Sequence, residues 1–172
     1  NGQINLHVSY MISSHHVQHV RRSACLANTI YETANEHLIM DAATDAQASV
    51  CFDDDATYIT FRGSESRTDW WMNIMLRFRF ADILPTDSYI RAHSGFVYQW
   101  QGVREEILKL LEQHHDDEKP VVCCGHSLGG AVATIAALDL RMTMFLNTTL
   151  VSFGSPRALN WYAKEAFDRV AI

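Results

Sequence analysis

Apolar residues recur every three or four positions from Val17 through Val20, Ala24, Ala27, Tyr31, Ala34 and Leu38, predicting one amphipathic helix over 16–40 with a break near Asn35. The pattern then shortens. In SVCFDDDATYITFRG two β-rich runs flank Asp53-Asp54-Asp55, as in a hairpin with an acidic turn. TDWWMNIML, residues 68–76, is a short, very apolar stretch with Thr68 or Asp69 as its N-cap, and Arg77-Phe78-Arg79-Phe80 alternates like a strand. From Ser94, the set Phe96, Trp100, Val103, Ile107, Leu110 and Leu111 keeps helical spacing as far as His114. A polar loop reaches Lys119, and Val121-Val122-Cys123-Cys124 follows as a buried strand. Gly129, Gly130, Ala131 and Ala133 open a helix through Leu140, and Thr148 to Phe153 is a strand ended by Gly154-Ser155-Pro156. Asn160 to Phe167 is expected as helix, and Val170-Ala171-Ile172 as the first residues of a further strand. Strands alternating with helices predict an α/β fold with a mostly parallel sheet covered on both faces. No repeat, low-complexity tract or linker interrupts residues 1–172, so a single domain is expected.

Composition narrows the classes. With 172 residues and 48% hydrophobic content, the chain has enough apolar material for a core. A formal net charge of -6 without a Lys/Arg cluster argues against a nucleic-acid partner. No apolar run approaches the roughly 18 residues of a membrane span. The N-terminus has no basic segment followed by an apolar one, so no signal peptide is visible, although the chain also lacks an initiator Met. Cys25, Cys51, Cys123 and Cys124 are expected as small buried hydrophobes, which leans towards a reducing, cytoplasmic compartment. His15, His16 and His19 have no carboxylate or cysteine at ligand spacing and are expected as a polar helix end; the Asp triplet lacks the alternation of a calcium loop. Neither a metal nor a cofactor is expected.

The chemistry centres on VVCCGHSLGG. Gly125-His126-Ser127-Leu128-Gly129 fits G-x-S-x-G, the nucleophile elbow in which a sharp strand-to-helix turn lifts a serine hydroxyl out of the backbone. A bare match arises by chance in roughly 6% of chains of this length, so the context matters. An apolar strand precedes this one and a helical pattern follows it, and only glycine at the flanks lets the two approach. Ser127 is therefore the candidate nucleophile. The Leu128 N–H, at a helix N-terminus, is the candidate oxyanion donor. A second donor should come from an earlier strand end, where FRGSES places Gly63 and Ser64.

FRGSES followed by DWWMN, then HSGF before a long helix, then GHSLGGA and SFGSPRALN, resembles the class 3 lipases, the fungal triacylglycerol-lipase branch of the α/β-hydrolases. The likeness covers about residues 20–172, with four motifs in the family's order. It implies a serine carboxylester hydrolase acting on glycerolipid esters at a membrane or lipid-droplet surface. It matches Ser127 to the nucleophile, Ser64 and Leu128 to the oxyanion hole, and the segment from Glu65 to about Leu76 to the lid. There Trp70, Trp71, Met72, Ile74 and Met75 suit a helix that turns an apolar face to lipid. Leu159 departs from the family's pattern, which has Gly at that place.

The family's triad continues with an Asp after the next strand and a His in a late loop, and both are expected beyond Ile172. None of the nine histidines matches the base. His126 points away from the serine, His93 is structural by resemblance, and His114 and His115 precede the elbow strand at the wrong end of the sheet. Asp139 lies about three helical turns past Ser127. The chain is thus expected to be an α/β-hydrolase-like domain incomplete at its C-terminal side, with the Asp and His carried by its continuation or by a second chain. The alternative is a truncated, non-catalytic relative that binds lipid or a protein.

Overall fold

The computed structural model describes residues 14–30, 37–63, 80–82, 90–144 and 147–163. Helices are α1 (Ser14–Thr29), α2 (Ser94–His114) and α3 (Leu128–Thr143). Strands are β1 (Leu38–Asp41), β2 (Ala46–Phe52), β3 (Thr57–Phe61), β4 (Phe80–Asp82), β5 (Arg91–His93), β6 (Val121–His126) and β7 (Thr148–Phe153). Five strands form one sheet in the order β1-β2-β3-β6-β7, and β4 pairs with β5 apart from it.

The VVCC run is buried on both faces because β6 lies between β3 and β7, parallel to each. Alternation sends Val121 and Cys123 into the larger core under α2 and α3, and Val122 into a smaller one with Leu26 and Tyr58 under α1. Helices thus cover both faces of the sheet, as expected. Its direction is evenly mixed rather than mostly parallel, since β1, β2 and β3 pair antiparallel. Short turns at 42–45 and 53–56 join them, and a connection that short can only return the chain antiparallel.

Helix α2 has the predicted span and inner face, with Trp100 2% exposed. The first helix differs. It ends at Thr29 instead of continuing to 40, and Leu38 belongs to β1. Its inner line is Ser23, Leu26, Ala27 and Ile30, whereas Val17, Val20 and Ala24 face solvent. The polar side chains set this rotation. Arg22 donates from Nε and Nη2 to Asp53 at 2.5 and 3.1 Å, and His19 Nδ1 meets the Tyr58 hydroxyl at 2.9 Å. Burial alone would raise the Asp53 carboxyl, but the hydrogen bonds from Arg22 and Cys51 and the Arg22 charge together outweigh it and hold it below the usual range. The acidic turn is therefore the anchor of α1.

Cys123 and Cys124 are buried, but Cys25 is exposed and Cys51 half-buried, so the expectation of four buried thiols is corrected. Cys25 lies on the outer side of α1, and Cys51 packs beside Arg22 and Asp53. The predicted strand over Arg77–Phe80 is represented by β4, which starts at Phe80; residues 77–79 lie outside the described set. Residues 68–76, 164–167 and 170–172 also lie outside it. Strand β5 was not legible, because three residues of mixed polarity carry no period.

Between α2 and α3, Asp139 is 6% exposed and accepts from Trp100 Nε1 at 2.9 Å and Arg104 Nε at 2.6 Å. It fastens the two helices together far from the elbow. Asp139→Ala is expected to destabilise the protein by about 1–3 kcal/mol, chiefly by stranding the buried indole N–H, since water can reach the part-exposed Arg104. Asp139→Asn, which keeps an acceptor oxygen, should cost less. Urea unfolding of the three proteins checks the order.

Candidate active site

Strand β6 ends at His126, and α3 begins at Leu128, leaving Ser127 alone to make the turn. Its backbone sits at φ 54°, ψ -121°, a left-handed conformation that side-chain-bearing residues rarely adopt. The flanking glycines explain how this is possible. A Cβ on Gly125 would lie 2.6 Å from the Gly129 carbonyl oxygen and 2.8 Å from the Gly130 nitrogen. A Cβ on Gly129 would overlap the Phe61 carbonyl and come within 2.9 Å of the Arg62 carbonyl carbon. Strand, helix and the end of β3 meet where no side chain fits.

The Ser127 N–H donates to the Phe153 carbonyl at 2.8 Å, and the Ser127 carbonyl accepts from Ala131 at 3.3 Å. Its side chain makes no capping bond to the helix. The hydroxyl is thus lifted out of the backbone and left half-buried. The amides of Leu128 and Gly129 open α3 and have no intrahelical acceptor, so they and the helix dipole favour negative charge beside Ser127. Cys124, three residues earlier, is no rival nucleophile: it is fully buried, and burial pushes its thiol up against the weaker opposing effect of its hydrogen bond with Thr60.

The parallel register sets Phe61 beside Gly125, so Arg62 and the buried Gly63 leave β3 alongside the elbow. Ser127 and Leu128 are thereby brought together with the exit of β3. Ser64 and the proposed lid residues Trp70, Trp71, Met72, Ile74 and Met75 lie outside the described residues. Two contributors were read from the sequence only as a strand end: the Phe153 carbonyl that holds the elbow, and Gly154, at φ 56°, whose Cβ position faces His126 Nε2 at 3.7 Å. Leu159, the departure from the family pattern, bridges to Ala92 and packs against both the main core and the Ile90, Leu138 and Ala163 cluster. Packing fixes the loop there.

Five of the described histidines, His19, His37, His93, His114 and His115, have partners of their own. His93 caps α2 by accepting from the Gly95 N–H at 3.2 Å. His115 Nδ1 meets Thr57 Oγ1 at 2.9 Å at the start of β3, where burial holds its imidazole below its usual value. His37 and His114 stack around Phe52, and His19 lies against Tyr58, which pairs with Val122 near the start of β6. Most of these lie at the end of the sheet opposite Ser127. No group of three His, Cys, Asp or Glu that could hold a metal ion occurs among the described residues. No described helix is long and apolar enough to cross a membrane.

The family model described as Lipase (class 3) matches residues 58–171. The chain is 34% identical over 123 residues to the secreted mono- and diacylglycerol lipase A of Penicillium cyclopium, a match that covers 68% of the chain and 39% of that protein. It is 33% identical over 119 residues to the chloroplastic phospholipase A(1) DAD1 of Arabidopsis thaliana, covering 59% of the chain and 27% of that protein. The chain thus spans well under half the length of these curated relatives. In three dimensions it matches the Rhizomucor miehei triacylglyceride lipase with a TM-score of 0.75 at 24% identity, covering 93% of the chain and 69% of that structure. The fold is that of the α/β-hydrolases.

The Ser127 backbone makes a stability prediction. A left-handed residue stores about 1–3 kcal/mol, whereas glycine costs about 0.4–1 kcal/mol relative to alanine through the unfolded chain. Strain relief wins, so Ser127→Gly should be about 1 kcal/mol more stable than Ser127→Ala. Urea midpoints decide it; an alanine variant as stable as the glycine one would overturn the strain.

Proposed function

This chain belongs to the class 3 lipase family, and from that premise we propose that the protein is a serine carboxylester hydrolase that cleaves acyl esters of glycerolipids through an acyl-enzyme on Ser127. The observation that carries the proposal is the left-handed Ser127 set directly before the first free amides of α3. Support for the substrate class comes from the names of its relatives, which join mono- and diacylglycerols, phospholipids and triacylglycerides. All of these are acyl esters of glycerol.

In this mechanism Ser127 Oγ attacks the ester carbonyl carbon and yields its proton to an imidazole. The carbonyl electron pair moves onto oxygen, where the Leu128 N–H and Ser64 take up the charge. Collapse expels the glycerolipid alcohol, which leaves with the proton. Water then attacks the acyl-serine by the reverse path and releases the fatty acid. The imidazole and its orienting aspartate are assigned to residues past Ile172, or to a second chain. Trp70, Trp71, Met72, Ile74 and Met75 are assigned to a lid that lies over the serine in water and turns its apolar side towards a membrane or lipid-droplet surface.

The test compares turnover of a short-chain p-nitrophenyl ester by the full-length protein, its Ser127→Ala variant and residues 1–172 alone. A triad acts as a unit, so Ser127→Ala should lower kcat by about 10⁴ or more. Residues 1–172 should be nearly as slow. Full-length turnover by the isolated chain, lost in Ser127→Ala, would place the base among its own histidines and refute the assignment past Ile172.

A further inference from the structure

The elbow rests on backbone that is itself held by a residue outside every motif. Gly129 is seated against the Phe61 carbonyl and the Arg62 backbone so closely that no Cβ could stand between them. Phe61 is the last residue of β3 paired with β6, and Arg62 is one step beyond that ladder. From the other side Arg62 is gripped twice by Gln47 of β2. Its N–H donates to the Gln47 carbonyl at 3.0 Å, and its Nη1 donates to Gln47 Oε1 at 2.6 Å. The second bond is charge-assisted and therefore among the stronger kinds.

We infer that Gln47 is a positioning residue for the elbow: by clamping Arg62 it fixes the surface on which the first turn of α3 sits, and with it the Leu128 amide. The inference rests on the assignment of Ser127 and Leu128 made above. Loosening the clamp frees Arg62 to drift from Gly129. The turn that bears the Leu128 N–H then loses its backstop on the β3 side. A donor must lie within a few tenths of an ångström of the developing oxyanion, so small displacements cost rate rather than binding. Gln47 touches no reacting atom and acts only through Arg62.

The experiment uses the full-length protein with Gln47→Ala, Gln47→Met, Gln47→Glu and Ser127→Ala. Readouts are kcat and KM on a soluble short-chain p-nitrophenyl ester, the rate of inactivation by diethyl p-nitrophenyl phosphate, and Tm. Gln47→Ala should lose about tenfold in kcat and in inactivation rate with KM within about twofold. Gln47→Met keeps the volume without the acceptor and should match it, which covers the case in which the alanine variant folds poorly. Gln47→Glu restores the acceptor and should recover kcat to within about threefold, a rescue that a merely structural role would not produce in kcat at unchanged KM. Wild-type kcat in Gln47→Met, or a loss that Gln47→Glu leaves in place, overturns the inference. If Ser127→Ala is inactive while Gln47→Met is wild-type, this inference alone fails; if Ser127→Ala keeps its turnover, the assignment of the site fails first.

Discussion

Three backbones, the end of β3, the end of β6 and the first turn of α3, converge on Gly125 and Gly129 at separations that exclude a single methyl group. That close approach is the constraint the rest of the structure serves. It leaves one residue to reverse the chain, forces Ser127 into a left-handed conformation, and starts the helix directly after the serine. The strain is tolerated because the surroundings over-determine it. Phe153 holds the Ser127 amide from β7, and α3 is buried around most of its circumference.

The two ends of the sheet do different work. At the start of β3 and β6, polar pairs fasten the elements: Arg22 to Asp53, His19 to Tyr58, Thr57 to His115. At the other end the elbow is held by backbone: the Ser127 N–H bonds the Phe153 carbonyl, and Gly129 seats against Phe61 and Arg62. Asp139 belongs to the fastening set. Although it shares α3 with the elbow, its oxygen serves Trp100 and Arg104.

The sequence carried the β2–β3 hairpin, α2, β6, α3 and β7 because each has a strong local period or an unambiguous turn, and G-x-S-x-G carried the elbow because glycine spacing is itself the steric condition for it. Helix α1 shows where local reading fails. Its regular apolar stripe, Val17–Val20–Ala24, is the face left in solvent, because two polar contacts to the β2–β3 hairpin decide the rotation and neither partner lies within 30 residues of α1's contacting side chains. The sheet's mixed direction was likewise set by turn length, which a count of alternating elements does not weigh.

By itself, then, the amino-acid order determined which residue turns the chain at the elbow and why glycine must flank it, since steric exclusion acts over a few neighbouring residues. It also determined the family through motifs whose order survives without any contact between them. Only the tertiary structure decided which backbone the glycines meet, that Phe153 and Gln47 hold that meeting point from either side, and that His19, His37, His93, His114 and His115 have partners of their own. Most of those are relations between residues tens of positions apart, and no period along the chain encodes them; they exist once the sheet register is fixed.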